Sequence, residues 1–198
     1  MLQKYSKGSS EFSISLLLQL YLHSLILIQQ IGIAIMRDNL KSRFYKATYA
    51  SFFAIITIGF LSILSIKTDI GWFLAGSFGA TMVLIYGYPE SIFAQPLNIF
   101  FGHIITTLAG LIVLYFIPLP ELFLIPLAVG FGIFLMILLD VVHPPAGGND
   151  IVVILGDMSF DFLLFPIITG AVLIIVLAIV INRFILKIEY PTDKNKST

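Results

Sequence analysis

Cysteine is absent from this 198-residue chain. That excludes disulfides, thiolate metal ligation and thiol catalysis, and it removes the usual clue to redox compartment. Charge is nearly as scarce: Lys, Arg, Asp and Glu make up 11% of the residues and sum to zero. No basic run is long enough to suggest a nucleic acid partner. The sequence has no P-loop, no H-E-x-x-H pair and no G-x-S-x-G elbow, so the common phosphate-binding, zinc-hydrolase and serine-hydrolase devices are missing. Neither an enzyme nor a resident cofactor is expected.

What is present is apolar. Hydrophobic residues make up 59% of the chain and mean hydropathy is +1.03. So few charges cannot cover that much apolar side chain in water, so the solvent is lipid and the bilayer is the first partner. Apolar runs fall at 47–66, 71–87, 97–117, 122–142 and 162–182, each close to the roughly 20 residues that cross about 30 Å of hydrocarbon. Turn chemistry separates them: "KTD", "GYPESIFAQP", "PLPE" and "GDMSFD". Trp72, Tyr86, Tyr88 and Tyr115 lie near span ends and read as interface anchors.

Residues 1–46 read as a leader. Its apolar stretch 12–35 carries Ser15, Gln19, His23 and Gln30 on one narrow helical face, which suits an interfacial or bundle-packed helix better than a lone span. An alternative is that translation starts at Met36. The tail 188–198 is polar and reads as disordered.

Positive charge sets the topology. Arg37, Lys41, Arg43 and Lys46 mark one cytoplasmic end; Arg183, Lys187, Lys194 and Lys196 mark another. Five crossings after residue 47 would place these ends on opposite sides. A sixth restores agreement, and the remaining apolar segment is 145–156, "PAGGNDIVVILG". It is too short to span alone at about 1.5 Å per residue, so it reads as a half-helix joined to non-helical chain. "SFGATMVLIYG" (77–87) aligns with "AGGNDIVVILG" (146–156), with Gly79 on Gly148 and Gly87 on Gly156. The fold class expected is therefore all-α: a polytopic membrane bundle of two inverted three-helix repeats, 47–117 and 122–187, each with a broken second helix. Paired interrupted helices of this kind point to a transporter's binding site.

The interruption itself is "DVVHPPAGGND", residues 140–150. Proline lacks an N–H and keeps the residue before it extended, so His143 and Pro144 end the preceding helix. Pro145 suits the first turn of the next. Gly147 and Gly148 let backbone approach a ligand, and a helix N-terminus offers donors to an anion. Non-helical chain at membrane depth is tolerated where protein or water satisfies it, so the segment reads as the lining of a polar cavity.

"HPPAGG", "AQPLNIFFGH" (94–103) and "GSFGATMVL" (76–84) resemble the HPP family of integral membrane proteins over about residues 47–185. Plant and cyanobacterial members are associated with nitrite transport, so the resemblance implies a small inorganic anion as solute. The family usually continues "HPPAGAT", whereas this chain has Gly148 and Asn149 in the last two places, followed by Asp150, and it has Leu97 where a basic residue is frequent.

The candidate substrate-binding residues are Ser77, Gly79, Thr81, Gln95, Asn98, His103, Asp140, His143, Gly147, Gly148, Asn149 and Asp150. His143 and His103 would be protonation-linked donors, while Asn149 or Asp150 can instead cap the short helix. His103, Thr106, Thr107 and Gly110 share a face. Gly102, Thr106 and Gly110 form a small-xxx-small series that close helix packing alone explains. A metal site of His103, His143 and Asp140 is a second reading, without a supporting local spacing. A third is a structural or sensory subunit that transports nothing. The expected setting is a bacterial plasma membrane, and a homo-oligomer is compatible with all three.

Overall fold

The computed structural model describes residues 19–27, 40–67 and 74–192. Two units, Met1–Lys46 and Ala47–Thr198, are each compact. In the first, residues 19–27 are helical and exposed; the rest of the 12–35 leader, Trp72 and the tail beyond 192 lie outside the described residues.

Among the described residues the secondary structure is entirely helical. Helix α1 is Leu40–Lys67, α2 Gly76–Gly87, α3 Pro96–Phe116, α4 Glu121–Leu138 and α5 Asn149–Leu155. Helix α6 is Leu163–Ile185, with π-type turns at both ends. Helices α1, α3, α4 and α6 are long and apolar enough to cross a membrane. The run 71–87, read as nearly a full span, yields a helix of only 12 residues, about 18 Å long. Helix α5 has seven residues and follows a 3₁₀ segment, Pro144–Gly148. Among the described residues from 40 onward, the sequence thus supplies four long α-helices and two short ones.

Local chemistry sets the boundaries. Pro96 opens α3 at the position where its missing N–H costs nothing. Pro120 precedes α4, and its carbonyl accepts from the Phe123 and Leu124 amides. In α6 the backbone leaves helical geometry at Phe165, because Pro166 disfavours the α region for the residue before it.

Helix α3 is central, packed against α4, α5, α6 and the 144–148 segment. One apolar cluster joins Leu61 of α1, Phe78, Met82 and Ile85 of α2, Ile99 and Leu111 of α3, and Ile174 and Ala178 of α6. Tyr86, expected at the membrane interface, is instead fully buried. Its hydroxyl lies 2.6 Å from Thr57 Oγ1, so the ring packs as core while its polar tip keeps a partner. Tyr88 and Tyr115 are about half exposed, and Tyr115 stacks on Phe160 at 5.4 Å.

Candidate functional site at the two broken helices

Four elements bring polar side chains to one buried point. Helix α2 supplies Thr81, α3 supplies His103, the extended residue before Pro144 is His143, and α5 begins with Asn149. All four side chains are essentially sealed from solvent.

Their hydrogen bonds fix one another. His143 Nδ1 lies 2.7 Å from the Phe93 carbonyl, which can only accept, so Nδ1 carries a proton. With a neutral ring, Nε2 is then an acceptor, and the Thr81 hydroxyl at 2.9 Å donates to it. Having used its proton, Thr81 Oγ1 accepts from His103 Nε2 at 3.2 Å. His103 Nδ1 is therefore an acceptor, and the Asn149 amide nitrogen donates to it at 3.1 Å. The same nitrogen also reaches the His103 carbonyl and Thr106 Oγ1, each at 3.3 Å. With the Thr81 hydroxyl donating to His143 rather than to the Ser77 carbonyl at 3.2 Å, the chain runs one way, from Asn149 through His103, Thr81 and His143 to Phe93, and the two imidazoles are opposite tautomers.

Aromatic contacts hold the rings. The imidazole centroids are 4.9 Å apart at 63°, and Phe78 meets His103 edge-on at 5.1 Å. Glycine makes the approach feasible. A Cβ on Gly102 would lie 2.6 Å from His143 Cβ, so the His143 backbone rests directly on α3. One on Gly110 would meet Asp150 Cα at 3.1 Å. The Gly102, Thr106 and Gly110 stripe is thus the seat of the broken segment, with Thr106 beneath Asn149.

The other candidates divide. Asn98 donates to the Val142 carbonyl at 3.0 Å, while its own buried Oδ1 has no partner. Ser77 and Thr107 also have buried hydroxyl oxygens without partners. Gln95 braces a loop: Nε2 donates to the Pro89 and Ser91 carbonyls, and Oε1 accepts from the Thr192 amide. Gly79 lies on the exposed side of α2, away from Thr81. Gly147 and Gly148 are half-buried with open space where a Cβ would project. Asp140 is exposed, with φ of 53°, at the end of α4, whereas both histidines are buried. Among the described residues, no group of three or more His, Cys, Asp or Glu could hold a metal ion, so the His103, His143 and Asp140 set does not assemble. Asp150 does not cap its helix: Gly148 is the N-cap, without a side-chain hydrogen bond.

Several supports went unread in the sequence. They include the Phe93 carbonyl, Gly132 of α4 beside Asp150, Asn182 donating to the Ile85 carbonyl at 2.9 Å, and Tyr190 donating to the Ala94 carbonyl at 2.7 Å. Burial pushes the Tyr190 phenol well above its ordinary range, so it remains a donor. A lone Asn inside the apolar run 162–182 is the one signal available for such a tie.

These motifs now meet a family match: the sequence profile described as HPP, transmembrane region, covers residues 36–191. The chain belongs to the HPP family. It is an integral membrane protein. Two curated transmembrane proteins of Dictyostelium discoideum are similar to this HPP chain. One is 34% identical over 125 residues, 60% of this chain and 44% of the relative. The other is 32% identical over 126 residues, 60% of this chain and 40% of the relative. The match thus spans less than half the length of either. No solved structure matches.

Proposed function

We propose that this HPP protein is a transporter or channel for a small inorganic anion, with nitrite the leading candidate, and that its solute path crosses the Thr81, His103 and His143 network. The observation that carries the reading is the bridging hydroxyl of Thr81. It joins a histidine of a long helix to the histidine at the second helix break, deep in a lipid-soluble fold. Polar groups so placed are costly unless they serve a path or a relay. The network also has a use for its tautomers: a proton arriving on one imidazole can pass to the other through the hydroxyl. A positively charged pair would then attract an anion. The paired short helices, α2 and α5, support the companion inference that 47–117 and 122–187 are inverted repeats. In this reading the protein acts in a plasma membrane, the inner membrane of a bacterial cell.

Proteoliposomes holding the full chain test the proposal by a flux screen over nitrite, other small anions and monovalent cations. Nitrite entry well above that of empty vesicles is expected. Cation entry without anion entry would reject it.

A further inference from the structure

Asp150 stands outside the histidine network. It is fully buried, and the amides of Gly110 and of Asp150 itself face its carboxyl. Neither carboxyl oxygen has a hydrogen-bond partner. Its seat is made by the absence of side chains. A Cβ on Gly132 of α4 would lie 2.8 Å from Oδ2 and 3.2 Å from Oδ1. On the other side the Asp150 backbone rests against Gly110 of α3.

The helices packed here bring no cation to balance it: α3, α4 and α5 contain no Lys or Arg. The titratable groups on the packed elements are few. Helix α3 carries His103, bonded to Thr81 and Asn149, and Tyr115, half exposed. His103 is seven residues from Gly110, about 10 Å along the helix axis. Helix α4 carries Glu121 in its exposed first turn. The 144–148 segment is preceded by His143, bonded to Phe93 and Thr81. A bare carboxylate sealed here would have no water, no completed hydrogen bond and no counter-charge, and such groups take up a proton instead.

We propose that Asp150 is a proton-binding site: its carboxyl is neutral while seated between Gly110 and Gly132, and it gives up the proton when α5 leaves that seat. Only the proton is exchanged, between the carboxyl and water. The neighbouring residue supplies the link to the path. Asn149 sits on the same seven-residue helix and donates to His103, so a move of α5 that frees Asp150 also breaks the contact holding His103. Resting on the transport reading above, proton occupancy of Asp150 would set whether the path is shut. An anion crossing with that proton would then carry no net charge.

Infrared difference spectroscopy on the full chain in lipid reads the site without any flux. The wild type should show the carbonyl stretch of a protonated, non-hydrogen-bonded carboxylic acid at neutral pH. The band should vanish in Asp150→Asn, which mimics the neutral acid in shape, and should titrate away as pH rises. In proteoliposomes, nitrite uptake driven by a pH gradient should fall on the order of tenfold in Asp150→Asn, the scale of a typical coupling free energy. Absence of the band, a band that never titrates, or a band unchanged in Asp150→Asn would overturn the proposal. So would gradient-driven uptake that survives the substitution, or a sodium-dependent gain in stability that Asp150→Asn abolishes. If wild type carries no nitrite at all, the transport reading fails while the infrared titration still decides Asp150. Should Asp150→Asn not fold, Gly132→Ala presses a methyl against the same carboxyl. It should shift the band, and an unshifted band would count against the seat.

Discussion

At the scale of single residues, the glycines of α3 separate packing from path. Gly102 has His143 Cβ 2.6 Å from where its own Cβ would stand, so Gly102→Ala forces the His143 backbone outward. A loss of about 1–3 kcal/mol is expected, as for other overpacked sites, and thermal unfolding in detergent measures it. Gly110→Leu should cost at least as much, because Asp150 Cα and Val153 close that space at 3.1 Å. Gly148→Ala is the control: open space surrounds it and its φ is −92°, so stability should stay within about 0.5 kcal/mol. A large destabilisation there would show the 144–148 segment to be packed differently. The glycine stripe was legible from its spacing, but not what it receives, since the spacing predicts a neighbouring helix and the occupant is a broken segment. Gly132 was illegible for a plainer reason: a helical glycine with no polar neighbour in sequence carries no sign of a carboxyl arriving from elsewhere. The two histidines stood out as rare polar residues in apolar chain, whereas their bridging through Thr81 is a matter of tertiary placement.

At the scale of elements, α2 depends on its neighbours. It is too short to span, and its last turn leaves carbonyls without helical partners. The Asn182 amide meets one of them, on Ile85, while Thr57 of α1 holds the Tyr86 hydroxyl. Asn182→Leu should cost about 1–3 kcal/mol by stranding the Ile85 carbonyl in an apolar setting. Tyr86→Phe should cost a similar amount, since Thr57 loses its partner. Equal melting of both variants and wild type would show these ties to be idle. Glycine made the close of the short helix at Leu155 readable, but α4 stops at Leu138, five residues before the His143 and Pro144 pair expected to end it. The start of α2 at Gly76 was not readable: the run 71–87 is uniformly apolar, and hydropathy has no means of marking where hydrogen bonding begins. Thr57 and Asn182 were likewise hidden inside runs whose average character is that of lipid-facing helix.

At the scale of the whole molecule, the inverted-repeat inference places residues 37–46 and the tail after 187 on the same face. The cysteine-free chain makes this testable with Ser42→Cys and Asn195→Cys. Both should react with an impermeant thiol reagent from the cytoplasmic side only; labelling from opposite faces would remove the sixth crossing and the inverted relation together. The solute path itself is tested by Thr81→Val. Valine keeps the shape of threonine and deletes the hydroxyl that joins His103 to His143. Losing one such bond is worth about 1.4 kcal/mol or more, or roughly tenfold in an equilibrium. The measurement is nitrite flux in proteoliposomes for wild type and Thr81→Val at matched folded content. A fall of about tenfold or more is expected if the solute crosses at this bridge; unchanged flux in the well-folded variant would place the path elsewhere in the bundle.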